Sequence, residues 1–208
     1  LAGCAGSGKA SGLPGIPWPD VAARPEADGA GVGTGEAVAA GGMLGRSAWT
    51  RSKPIGSRVN PMGGIKRITL HHEGAEASVY FTDQASSAAR LEAIRKNHIG
   101  RGWGDIGYHY IIDRAGRIWA ARPLTLQGAH VRDHNEHNIG IMCLGNFDQQ
   151  DPTEAQVQAM AKLTQQMARR YHVAVESVRT HQEWVATSCP GRRLQARIQT
   201  LRSHGRLA

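Results

Sequence analysis

The sequence predicts a mixed α/β domain, a single mixed β-sheet flanked by helices, behind a disordered N-terminal tail. Three observations predict it. Short apolar runs of strand length alternate with longer stretches of helical spacing. Two of the strand-like runs are joined by a tight turn, whereas the others are separated by helices, and this mixture argues for one sheet covered by helices. The N-terminal stretch, by contrast, has no sustained period at all.

Residues 5 to about 42 are rich in Gly, Ala, Pro and Ser. Such a segment cannot bury enough apolar surface to offset its ordering entropy, so it reads as a flexible tether. The chain thus divides into 1–43, the tether with its start, and 44–208, the folded domain. That domain opens near Leu44-Gly45-Arg46-Ser47-Ala48-Trp49. Ile65 to His72 reads as a core strand. Ser86 to Asn97 carries Ala88, Leu91 and Ile94 at helical spacing. Gly107 to Ile112 and Arg117 to Ala121 read as strands, and Asp113-Arg114-Ala115-Gly116 as the hairpin turn, with glycine where positive φ is needed. Asn138 to Leu144 is a further apolar strand. In Asp151-Pro152-Thr153-Glu154 the order of cap, proline and acid predicts a helix start with Asp151 as the cap. Val157, Met160, Leu163 and Met167 then form one apolar face as far as Tyr171, a core stripe. Arg192 to Arg202 is a last, basic helix.

With 208 residues, the chain is long enough for one domain with a real core plus a tail. It carries 25 Lys+Arg against 17 Asp+Glu, a formal charge of +8, which favours anionic partners without choosing among them. No apolar run approaches the 18 or so residues that a membrane span needs. Cys143 lies within an apolar strand and reads as a buried free thiol. Cys4, in Leu1-Ala2-Gly3-Cys4, resembles the lipobox of bacterial lipoproteins, in which the cysteine is acylated.

The chemistry concentrates in Thr180-His181-Gln182-Glu183-Trp184-Val185-Ala186-Thr187-Ser188-Cys189-Pro190-Gly191. An imidazole and a thiol eight residues apart suit zinc, and a site with three protein ligands leaves the fourth position for a reactive water. The third ligand must come from elsewhere. Ile68-Thr69-Leu70-His71-His72 offers two histidines at a strand end, on opposite faces by alternation. His181-Gln182-Glu183 also has the His-x-Glu form of zinc deaminases. Those need a later Pro-Cys-x-x-Cys, and no cysteine follows Cys189, so a nucleic-acid enzyme is discarded.

Four segments stand in order: Ile68 to His72; Trp103-Gly104-Asp105-Ile106-Gly107-Tyr108-His109-Tyr110; Gly128-Ala129-His130 with Asn138-Ile139-Gly140-Ile141; and His181 to Pro190. Together they resemble the type 2 family of zinc N-acetylmuramoyl-L-alanine amidases, which takes in the phage T7 lysozyme type and the peptidoglycan recognition proteins. The resemblance covers roughly Arg46 to Leu201. It implies Zn2+ bound by the first histidine of the pair, His71, with His181 and Cys189. It also implies a catalytic Tyr108 and a polar residue two before the cysteine, Thr187. Members of the family that only bind peptidoglycan usually lack the cysteine, which this chain keeps. His130, Trp103 and Asn138 are candidates for the substrate groove. Glu73 and Glu183 are candidate general bases that the family pattern does not single out.

The implied substrate is peptidoglycan or a muropeptide, cut at the amide between N-acetylmuramic acid and L-alanine. A monomer is expected, without nucleic acid as a partner. If Cys4 is lipidated, the protein belongs on the membrane of a bacterial cell envelope, and a lipobox fits an enzyme acting on its own cell's wall better than a released lysin.

Overall fold

A computed structural model of the protein describes residues 42–207. The tether and Cys4 therefore lie outside the described residues. Nine elements follow in chain order: β1 (Met43–Leu44), β2 (Arg67–His72), α1 (Gln84–Gly100), β3 (Tyr110–Ile112), β4 (Ile118–Ala120), β5 (Asn138–Cys143), α2 (Glu154–Tyr171), β6 (Val178–Thr180) and α3 (Arg192–Ser203). The strands form one sheet in the order β1-β4-β3-β5-β2-β6. Only the hairpin pair β3–β4 is antiparallel, and all other neighbours run parallel, so the sheet is mixed as expected.

Alternation along the strands sorts the core into two layers. Ile68, Leu70, Ile139, Ile141 and Ile112 face α2 and α3, meeting Val157, Met160, Leu163, Leu194 and Ile198. Ile111, Trp119 and Met142 face the other way and pack with Ile106, Tyr108 and Leu91 of α1. The odd-numbered positions of β2, Arg67, Thr69 and His71, therefore lie on the α1 side.

Of the element ends that depart from expectation, three have a clear physical reason. The cap of α2 is Thr153 rather than Asp151: its hydroxyl accepts from the Gln156 amide at 3.1 Å, and Gln156 Oε1 accepts from the Thr153 amide at 3.1 Å. The box is a Thr-x-x-Gln shifted two residues downstream, with the proline before the cap instead of inside the helix. α1 starts before Ser86 because Asp83 caps it, accepting from the Ser86 amide at 2.7 Å. Lastly, β3 begins at Tyr110 and not at Gly107. Gly107 to His109 is still bonded by its backbone but changes partner at each step, from Ala129 to Arg122 to Gly140 and Ala121. Glycine is required at 107, since an added Cβ would collide with the Ala129 carbonyl. This irregular stretch is what carries Tyr108.

Candidate metal centre

β2 and β6 are parallel neighbours, and Leu70 pairs with Thr180. The residue after each of these is a histidine, His71 still on β2 and His181 just past the end of β6, so the two come abreast at the carboxyl end of the sheet. Ligand sites of open α/β sheets gather at such strand ends. From His181 the chain makes one 3-10 turn, His181–Glu183. It returns so that the Gln182 amide donates to the Cys189 carbonyl at 2.9 Å. That closure brings the Cys189 thiol back to the two histidines.

The ligand atoms of His71, His181 and Cys189 all lie within 4.8 Å of one another, and all three side chains are buried. Cys189 Sγ stands 3.5 Å from His71 Nδ1. Bonds of 2.0–2.3 Å in a tetrahedron need ligand atoms about 3.3–3.8 Å apart. The donor set is one sulfur and two imidazole nitrogens, the chemistry zinc prefers. Two further observations favour a cation here. His181 Nδ1 is buried with no hydrogen-bond partner, a costly state that a metal bond relieves. The His72 backbone amide donates to Cys189 Sγ at 3.4 Å, which supports a thiolate.

Of the two candidate histidines, His71 joins the cluster. His72 points to the opposite face, where its Nδ1 accepts from the Phe147 amide at 3.2 Å. The alternation that left the choice open is what separates them.

Behind His71 lies a second histidine. His130 Nδ1 is 3.0 Å from His71 Nε2, and His130 Nε2 is 3.2 Å from the Asn138 carbonyl. The carbonyl can only accept, so His130 carries its proton on Nε2, and its Nδ1 accepts from His71 Nε2–H. That tautomer leaves the lone pair of His71 on Nδ1, which faces Cys189. The space for the ring comes from glycines: a Cβ at Gly140 would stand 2.6 Å from it, and one at Gly128 would press as close. His130 is 2% exposed, and burial holds its pKa well below the ordinary value, with His71 adding to the effect. Expected in the substrate groove, it is instead buried behind His71 and hydrogen-bonded to that ring. Asn138 is likewise corrected: it is fully buried, accepting from Thr69 Oγ1 at 3.0 Å and donating to the His134 carbonyl at 2.8 Å.

The remaining candidates stay near the cluster. The Tyr108 ring is 5.2 Å from that of His71. Thr187 is half-buried, and its hydroxyl accepts from the Cys189 amide at 3.3 Å, so it shapes the ligand loop. Trp103 is half-buried and packs 4.4 Å from the ring of His98, whose Nδ1 accepts from the Gly107 amide at 3.0 Å. His98 thereby props the Tyr108 segment, a role its place on an ordinary helix does not signal. The two candidate bases are engaged elsewhere. Glu73 pairs with Arg90. Glu183 binds Arg202 at 2.9 and 3.0 Å and the Thr180 amide at 2.8 Å; burial opposes its ionisation, but these partners hold its pKa below the ordinary value.

Comparison with known proteins bears on this geometry. The family described as N-acetylmuramoyl-L-alanine amidase matches residues 61–192. A peptidoglycan-recognition protein of Drosophila simulans is 32% identical over 161 residues, covering 77% of this chain and 87% of its own length. The endolysin of Escherichia phage T7 is 34% identical over 105 residues, covering 48% of this chain and 68% of its own. Among solved structures, peptidoglycan recognition protein LE in complex with tracheal cytotoxin, a monomeric diaminopimelic acid-type peptidoglycan, superposes with a TM-score of 0.68. It is 27% identical and covers 76% of this chain and 92% of its own.

Proposed function

The chain belongs to the N-acetylmuramoyl-L-alanine amidase family, and from that premise we propose that it is a zinc hydrolase of the amide between N-acetylmuramic acid and L-alanine, in peptidoglycan or muropeptides. The observation that carries the reading is the convergence of His71, His181 and Cys189, with an orphaned buried nitrogen among them. Members of the family that only bind peptidoglycan usually lack the cysteine, and this chain keeps it beside both histidines. Relatives that bear the name peptidoglycan-recognition protein support the substrate class.

Zinc held there supplies a Lewis acid and a water that ionises near pH 7. The protein's own residues do the rest. His130 accepts the His71 Nε2 proton and fixes that ring. Tyr108, beside His71, is the hydrogen-bond donor for the developing oxyanion, and Thr187 meets the substrate carbonyl once it leaves the Cys189 amide. Glu183 is committed to Arg202, and Glu73 pairs with Arg90 through one of its oxygens.

The test has two measurements. Purified protein should hold about one zinc per chain, and Cys189→Ala should lose it. Mass spectrometry of digested peptidoglycan should show free L-alanine amino termini and no new reducing sugar ends. Reducing ends would make the protein a glycosidase, and peptidoglycan bound but uncut would make it a recognition module. For location, we propose that Cys4 is acylated and tethers the domain to a membrane of the bacterial envelope. A Cys4→Ser precursor should then carry no lipid and leave the membrane fraction.

A further inference from the structure

Arg67, Thr69 and His71 share one face of β2, and Arg179 of β6 lies opposite Thr69. Trp184 covers this row. Its Nε1–H donates to Thr69 Oγ1 at 2.9 Å, and that hydroxyl donates onward to Asn138 Oδ1 at 3.0 Å. The Arg179 guanidinium carbon is 4.6 Å from the indole centre, that of Arg67 is 5.7 Å away, and the His134 ring stacks at 5.1 Å. The indole is thus engaged at its polar edge and across its rings. It acts as a spine that gathers cations.

Two guanidiniums drawn to one ring concentrate positive charge, and among the described residues no carboxylate neutralises it. Arg46, Arg90, Arg117 and Arg202 each sit on a carboxylate, whereas Arg67 and Arg179 have none. Arg179 is exposed and its Nε donates to the Glu176 carbonyl at 3.1 Å; Arg67 is half-buried. A guanidinium stacked by its face still presents N–H groups at its edge, and their planar fork matches a carboxylate.

We propose that Arg67 and Arg179, organised by Trp184, form a subsite for a carboxylate on the peptide part of the substrate, so that an acidic peptide is preferred. The inference rests on the amidase reading. At a strand rise of about 3.3 Å, the Thr69–Arg179 row lies about 7 Å and Arg67 about 13 Å back from His71. An extended peptide covers that span in about two to four residues. The carboxylate therefore belongs to a residue two to four places beyond the scissile amide.

The experiment compares N-acetylmuramoyl-L-alanyl-D-isoglutamyl-L-lysinamide with its D-isoglutaminyl counterpart; the C-terminal amide removes the lysine carboxylate from both, so the two differ only in a carboxylate against a carboxamide on the second residue. The intact protein should show about tenfold higher kcat/KM on the acidic substrate, expressed in KM and narrowed by salt. The Arg67→Gln/Arg179→Gln double variant should lose that preference by weakening on the acidic substrate alone. Calorimetry with the cleaved peptides, L-alanyl-D-isoglutamyl-L-lysinamide and L-alanyl-D-isoglutaminyl-L-lysinamide, should give the same ranking. A preference that survives in the double variant, or equal weakening on both substrates, would overturn the subsite. If neither substrate is cut but the acidic peptide still binds through the arginines, the amidase reading fails and the subsite stands. If nothing is cut and neither peptide binds, the subsite falls as well.

Discussion

Removing the His130 ring separates orientation of the ligand from mere packing. His130→Ala leaves His71 Nε2–H without its acceptor, so the ligand ring is free to turn. Partners that orient metal ligands are worth about 10–100-fold in metal affinity. The dissociation constant for zinc, measured by competition with a chelator, should rise by about that factor while far-UV circular dichroism stays unchanged. Unaltered affinity would reduce His130 to a core residue. Tyr108→Phe should behave the other way, keeping zinc but lowering kcat by about 10²-fold, the loss typical of one oxyanion donor. Turnover near that of the parent would demote Tyr108 to packing. The pair His181 and Cys189 was readable in the sequence from its spacing, and the family resemblance added His71, which the fold brings beside them. The surroundings were not readable. His130 sits in polar, loop-like sequence and Asn138 is a polar residue opening an apolar strand, so both read as groove residues, and only the glycines at 128 and 140, cleared to admit a buried ring, hint otherwise. Arg67 is far in the chain from Arg179 and Trp184 and no period marks any of them, so their meeting follows from the β2–β6 register and from the turn that carries Trp184 back over it.

At the scale of elements, helix ends rest on single side chains. In α2 the Thr153–Gln156 box satisfies two amides, and the Thr153 hydroxyl also donates to the Arg114 carbonyl at 2.9 Å, tying the helix start to the β3–β4 turn. Thr153→Ala should lower stability by about 1 kcal/mol, the usual worth of an N-cap, read as a shift of the urea midpoint without a change in slope. Asp151→Ala tests the alternative directly. The Asp151 carboxylate meets only Arg193, at 3.2 Å on the surface, so its loss should cost little. Both Asp151 and Thr153 precede an acid or amide three residues on, so sequence allowed either box; the Arg114 carbonyl, reached only after the hairpin has folded, favours the second. The same logic explains the short strands. β1 has two residues, too few for a period to show, and forms because β4 offers it an edge, whereas β4, with three, was legible from the hairpin turn before it. The longer runs, β2, β5 and α2, were legible because burial imposes a repeat on them.

At the scale of the whole molecule, the buried histidines set the response to acid. His109 bridges the layers: its Nδ1 accepts from the Gly140 amide at 2.9 Å and its Nε2–H donates to the Leu126 carbonyl at 3.0 Å, a neutral tautomer fixed on both sides. Burial lowers its pKa from 6.5 to about 4, against the Leu126 bond, which raises it, and with a small further push from Arg122. In the unfolded chain this ring protonates below pH 6.5, while in the fold it stays neutral. The unfolded state therefore binds the extra proton, and stability falls as pH drops from 6.5 to about 4. The contribution is complete above 6.5 and gone below 4, and at full extent it is worth about 3 kcal/mol. His109→Gln keeps an acceptor and a donor but cannot titrate. Urea unfolding of parent and variant between pH 4 and 7 should show a shallower loss in the variant, approaching one proton less in slope. His130, equally buried, pulls in the same direction and remains, so the variant keeps some dependence. Parallel curves for the two proteins would mean that His109 takes up a proton inside the fold, and that the pair of backbone bonds does not hold it neutral.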